Sequence, residues 1–430
     1  MNIKSGNIYI KKRPIPEWLT LFVFAFPFAM AFFTDFLGLP GFLKYLMDAA
    51  YVLAAMFLFV KKQTLLGKKT MPIFIYTITF FLYTLTVHLF NFQSPFYYLW
   101  GFRNNLRFFI AFFLFTTFFE EEDMKKCLKF MDVMFWVNAL ISIFQFVILD
   151  YEQDYLGGIF GVEKGVNTFT LIFFSIVISK SVISFMSKTE NTVLCFAKCT
   201  VSLIVAAMAE LKIYFIIFPF ILVVSALITR FSFRKLMLML VSTVMLIFAS
   251  MLLTTIFKDD GMLSFDRIIE MVTASNYATA EDLGRFTAIP TISNNILTKP
   301  FEKIFGLGLG NCDTSAFAIC NTPFYLSHSY LHYEWFSSAI MFLETGYIGL
   351  TVYVSFFVIC LILARKHMKN RTSNELFCRI SMITALICVI MVFYNSALRT
   401  EAAYMSVFAL ALPFAKSEKQ SEFDIDSGEI

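Results

Sequence analysis

Residues 206–215, AAMAELKIYF, join two apolar runs at 193–208 and 212–229 and set Glu210 and Lys212 between them. Neither Gly nor Pro marks a turn here, so the stretch reads either as the middle of one long tilted helix or as the tip of a hairpin. In one helix, Lys212 would lie near mid-bilayer, where insertion scales charge it about 2.5–3.5 kcal/mol. In a hairpin, both charges reach an interface. The choice fixes the orientation of every segment before or after it.

Outward from this point the chain is apolar almost throughout. Of 430 residues, 58% are hydrophobic and 15% charged, with 56 Phe, which is far from soluble-domain usage. A crossing takes about 20 apolar helical residues, and the runs lack the period-2 alternation of a porin-type barrel. The expected fold is therefore an all-α polytopic membrane protein with about twelve transmembrane helices, at 18–34, 43–60, 71–90, 106–119, 128–149, 166–186, 193–208, 212–229, 235–257, 337–363, 377–395 and 401–415. The first run follows Lys11, Lys12 and Arg13 and precedes TDFLGLPGF without a small-x-small cleavage pattern, so it is expected to stay as the first span.

Lys and Arg accumulate on the cytoplasmic side. The clusters are Lys4/Lys11/Lys12/Arg13, Lys61/Lys62/Lys68/Lys69, Lys125/Lys126/Lys129, Arg230/Arg234/Lys235 and Arg365/Lys366/Lys369/Arg371. Twelve spans put them all on one face, with both termini in the cytoplasm; a single helix across 206–215 would split them. The hairpin is thus preferred, with residue 210 facing outward. The expected division is 1–257 as helices one to nine, 258–336 as one long extracytoplasmic loop with short helices, 337–415 as the last three helices, and 416–430 as a cytoplasmic tail.

The outer face then holds few basic residues: Arg103, Arg107, Lys212, Arg285, His328, His332 and Arg399. Any one of them reads as an anchor snorkelling to headgroups. Their recurrence at separate helix ends points instead to selected contacts with an anion. Loop 258–336 is long enough to be a lid or small subdomain. Helices are expected at 266–273 and 285–297, and FGLGLGN (305–311) reads as a tight turn, since no Lys-Ser/Thr follows as in a phosphate loop. The loop is more acidic than basic, which excludes a general polyanion surface.

Eight cysteines show no metal-type spacing, and Cys312 and Cys320 in the loop leave a disulfide open if the compartment is oxidising. His328 and His332 lie one helical turn apart, but Ser329 stands where a zinc protease carries Glu, so no metal is expected. Glu344 falls inside the span beginning near Ser337, where a carboxylate needs a partner or a wet cavity, and should face the bundle. Gly346 and Gly349 permit close helix approach.

The segment HSYLHYEWFSSAIMFLETGYIGL (328–350) resembles the His-then-Glu-Thr-Gly-x-x-Gly-Leu signature of the bacterial O-antigen polymerase and O-antigen ligase superfamily. GRFTAIPTISNNILTKPFEKIFGLGLGN (284–311) looks like its Gly-Arg helix and Gly-rich turn, and AELKIYF like its basic hairpin. Lys212 stands where ligases usually carry Arg, and Ser329 where Asn is frequent, which favours the polymerase branch. The resemblance implies a C-type glycosyltransferase-like fold in the bacterial inner membrane with its active site on the outer face. It also implies catalytic His328, Arg285 and Lys212, no cofactor, and polyprenyl-diphosphate-linked oligosaccharides as donor and acceptor. Beyond the bilayer, a chain-length regulator and a flippase are the implied partners, and nucleic acid is not.

The chemistry fits the residue types. Opening an anomeric C–O bond leaves a diphosphate with added negative charge, which fixed cations stabilise. Lys212 and Arg285 are the leading ligands; Arg103, Arg107 and Arg399 are further substrate-binding candidates, with His332, Glu344 and Tyr330. His328 would orient or deprotonate the acceptor hydroxyl. Tyr325, Tyr330, Tyr333 and Trp335 read equally as sugar-packing aromatics and as an interfacial belt. A ligase and, outside enzymes, a lipid-linked oligosaccharide transporter are the alternatives. No internal duplication or matched pair of broken helices supports the transporter.

Overall fold

Long apolar runs that cannot give their backbone to water satisfy it internally, as helix. The computed structural model describes residues 13–60, 67, 69–163, 165–229, 232–256, 283–315, 317 and 321–416, and no strand occurs among them. Six helices are long and apolar enough to cross a membrane: Gly41–Val60, Met71–Phe90, Glu121–Val147, Asn167–Met186, Ser337–Lys369 and Glu375–Tyr394. Shorter apolar helices run over Ile15–Phe28, Arg107–Phe118, Thr192–Met208, Tyr214–Ile228 and Ala402–Phe414. A further helix spans Phe233–Ile256. The helix expected at 266–273, Cys320, the 416–430 tail beyond Lys416 and several of the basic residues lie outside the described residues.

Differences from the expected boundaries have local causes. The run placed at 128–149 begins as helix at Glu121, because Glu120 and Asp123 close a capping box that extends it through two charged turns. Pro95–Asn105 is an unexpected helix, capped by the Ser94 side chain, which accepts from Phe96 N. The long Ser337–Lys369 element is broken at Gly346, whose φ of 66° and ψ of −169° are open only to glycine.

Contacts sort the helix ends into two sets. At one end Arg13 pairs with Asp123 at 2.6 Å, Asn374 Nδ2 donates to Glu121 at 2.9 Å, and Lys69 Nζ donates to Thr372 O at 2.8 Å. Arg379 Nη1 donates to Ser187 Oγ at 3.2 Å, which places the C-terminal end of Asn167–Met186 with this set. Thr192–Met208 starts there and ends at Ala209, whose carbonyl accepts from Asn167 Nδ2 at 3.1 Å. Tyr214–Ile228 returns, so that Thr229 Oγ1 donates to Met186 Sδ at 3.3 Å. Residues 209–213 are therefore a hairpin tip, with Glu210 at φ 51°, at the end opposite Arg13 and Lys69.

The centre is aromatic. Arg107–Phe118 and Ala402–Phe414 are buried almost throughout, with Phe24 on Phe408 (4.6 Å between centroids) and Phe109 on Phe356 (4.4 Å). In lipid, helix association rests on dispersion and close packing more than on expelled water, and flat rings supply many such contacts.

Candidate functional site

At the end opposite Arg13 and Lys69 the bundle opens into a cavity of about 1090 Å³. Lys212 enters it from the hairpin tip, where its ammonium pairs with Glu210 at 2.9 Å. Arg285 enters from the turn that starts helix Ala288–Asn295, fixed by Ala288 N donating to Gly284 O at 2.8 Å. Its guanidinium lies over the Tyr394 ring, 4.2 Å from the centroid. Burial pushes the Arg285 pKa down, against the opposing influence of Tyr394 and Asp154. The two leading cations of the sequence thus line one cavity. The same lining carries Asp35, Asp154, Glu163, Glu210 and Glu401, so the cavity is no general anion sink.

A smaller chamber of about 420 Å³ holds Arg103, Arg107 and Arg399 and shares Lys44, Tyr45, Ser396, Thr400 and Glu401 with the larger one. Its arginines are compensated. Arg103 pairs with Asp48 at 2.8 Å, Arg107 with Asp48 and Glu401 at 3.0 Å each, and Arg399 with Asp313 at 2.7 Å. Burial works against the Arg399 cation, but Asp313 outweighs it and raises its pKa. Burial also works against the Glu401 carboxylate, and Arg107 and Arg103 overcome it, holding its pKa below the ordinary value. The arginines expected to contact an anion are here paired with carboxylates, in buried or half-buried positions.

Lys44, which sequence reasoning passed over, stands at the junction of the two chambers. Its ammonium lies 5.5 Å from the Tyr45 ring centroid and has no carboxylate partner among the described residues. The signal is in the sequence: a lysine at the start of the second span, which the expected topology turns outward, runs against the same charge bias that singled out the others.

Glu344 is fully buried and lines neither chamber; it accepts from Asn105 Nδ2 at 3.3 Å and from Cys312 N at 3.2 Å. Asn105 Oδ1 in turn accepts from Arg399 Nε at 2.7 Å, so Glu344 acts on a cation through an amide and ties down the Gly-rich turn. That turn docks on the broken helix: Leu307 N donates to Leu343 O at 2.8 Å and Gly308 N to Glu344 O at 2.9 Å. A Cβ at Gly346 would overlap the Ile304 carbonyl, and one at Gly310 the carbonyl of Tyr97. The turn is structural, not a phosphate cradle.

The histidines stand apart. His328 ends the short helix Pro323–His328, stacks on Phe324 at 4.4 Å, and shares its Nδ1 with Ser327 Oγ at 2.8 Å, outside the lining of both chambers. His332 adopts φ 51° and stacks on Trp335 at 4.3 Å; Trp335, not the imidazole, reaches the larger cavity. Tyr330 is half exposed beside His328, with ring centroids 6.5 Å apart. Among the described residues no three His, Cys, Asp or Glu side chains form a metal-binding group. Cys312 is buried, and its pairing with Cys320 lies outside the described residues. No protein-family model matches the chain, and no curated protein matches it.

Proposed function

We propose that the chain is a repeat-unit polymerase of the bacterial inner membrane, a glycosyltransferase that moves a glycan from polyprenyl diphosphate to another lipid-linked oligosaccharide. Twelve crossings, with both termini cytoplasmic, are part of the proposal. Support comes from the alternation of successive helices between the two ends and from the grouping of Arg13, Lys69, Lys125 and Arg379 at one of them. The cavity then opens on the outer face.

One observation carries the functional reading: Lys212 and Arg285, from segments far apart in sequence, converge with Lys44 on a single large cavity. The acceptor oxygen bonds to the anomeric carbon as the C–O bond to the diphosphate breaks. The bonding electrons leave on the diphosphate, and the acceptor proton passes to a base. Cations fixed in place before reaction stabilise that leaving charge without reorganisation. Arg285 is suited to it, because a buried guanidinium whose pKa is lowered gains from an added anion. His328 lies outside the lining of both chambers, so the proposal rests on the cations and not on His328 as the base.

The purified protein, given a defined polyprenyl-diphosphate repeat, is expected to lengthen it. Arg285→Ala and Lys212→Ala are expected to abolish lengthening while the protein still inserts; full activity in both variants overturns the site. Movement of substrate across the bilayer without lengthening identifies a transporter. In cells lacking the protein, surface glycan one repeat long marks a polymerase, and accumulated lipid-linked polymer with none attached marks a ligase.

A further inference from the structure

We infer that the smaller chamber is a sugar-binding subsite, taking the terminal residues of the acceptor glycan against the donor held in the larger one; this rests on the polymerase reading. Its chemistry is that of a neutral polyol site. Each arginine in it is matched by a carboxylate, Arg103 and Arg107 by Asp48 and Glu401 and Arg399 by Asp313. A second phosphate would find the three arginines offset by three carboxylates and only Lys44, at the border with the larger chamber, left to attract it, whereas a sugar meets a dense set of fixed donors and acceptors.

Two aromatic faces frame that set. Trp100 and Tyr45 flank the Arg103 guanidinium at 5.2 and 5.3 Å. Trp100 is held by its indole N–H donating to Thr314 O at 2.8 Å, and Asn104 Nδ2 donates to Asp313 Oδ2 at 2.9 Å. Amide, carboxylate and guanidinium groups suit the hydroxyl edge of a pyranose, and the aromatic cluster beside them, in which Phe317 packs on Tyr45 at 5.4 Å and on Trp100 at 5.9 Å, suits its C–H groups. The volume of about 420 Å³ lies within the ~300–1,000 Å³ of small-ligand sites. Because Lys44, Ser396 and Thr400 border both chambers, a sugar hydroxyl in the smaller one faces a diphosphate in the larger one across that border.

The test is saturation-transfer NMR on the full chain in lipid nanodiscs, with methyl glycosides of glucose, galactose and rhamnose as probes and undecaprenyl diphosphate binding measured alongside. At least one glycoside is expected to give a signal that falls fivefold or more in Trp100→Ala and in Asn104→Ala. Trp100→Phe, which keeps the ring face and loses the bond to Thr314, is expected to retain most of it, and diphosphate binding should not change in any variant. The inference is overturned if no glycoside binds the wild-type protein, or if the signal survives Trp100→Ala and Asn104→Ala. Glycoside binding without undecaprenyl diphosphate binding or lengthening upholds the sugar site and removes the polymerase reading.

Discussion

Arg399 separates a structural cation from a functional one. Its Nη2 lies 2.7 Å from Asp313 Oδ1, with side-chain exposures of 9% and 1%. At that separation the gross attraction is about 6 kcal/mol for an effective dielectric near 20, most of it spent against the loss of hydration on both ions. Arg399→Met leaves the buried Asp313 carboxylate uncompensated and Asn105 Oδ1 without its donor. The expected loss is about 3–5 kcal/mol of stability. Adding Asp313→Asn removes the orphaned charge and should restore about half or more of that loss, as buried pairs replaced together are often near neutral. Titration with sodium dodecyl sulfate in mixed micelles reads all four corners of the cycle. Additive losses, with the double variant worse than either single one, would refute the account and return Arg399 to the anion-binding set.

Two further outcomes follow from local geometry and titration. Gly346→Ala forces a side chain into a glycine-only conformation worth about 1–3 kcal/mol of strain and drives its Cβ into the Ile304 carbonyl; a clear drop in melting temperature is expected, and an unchanged melt would refute the docking of the Gly-rich turn. The pKa of Glu401 is lowered in the folded protein, so its contribution is full above the ordinary carboxylate pKa of about 4.3 and is lost as pH falls through the lowered value. Melts recorded from neutral pH downward should therefore steepen below about pH 4, and Glu401→Gln should flatten that acid slope while lowering stability at pH 7; an unaltered slope would contradict the assignment.

What the chain discloses about itself depends on how local the cause is. The run at 71–90 is helix over the same residues, because Pro72 at its start and the polar Asn91 after it are local signals. The hairpin at 209–213 was readable from charge alone, since Lys212 has nowhere to go inside a bilayer. Helix Pro95–Asn105 was not, its composition being too mixed to register as a span. The pairing of Arg103, Arg107 and Arg399 was equally hidden, because Asp48, Glu401 and Asp313 lie on distant segments that only the closed bundle brings near. Gly346 reads from sequence as a packing residue, and neither its positive φ nor the close approach of Ile304 and Phe305 to it is legible there. The absence of His328 from the lining of both chambers depends on how the Pro323–His328 helix sits in the folded loop, which residue spacing does not reveal.

The central helices are short. Arg107–Phe118 has 12 residues, and Ala402–Ala411 has 10 before the 3-10 turn Leu412–Phe414 continues it, so they rise about 18 and 21 Å, against a hydrocarbon slab of about 30 Å. In the proposed membrane arrangement the ground beneath the two chambers would lie below the headgroup plane, among the longer helices. A prenyl-borne headgroup reaching that floor would be drawn down out of bulk water while its tail stays among the lipids. Wasteful hydrolysis would then be held back by depth, before any side chain takes part.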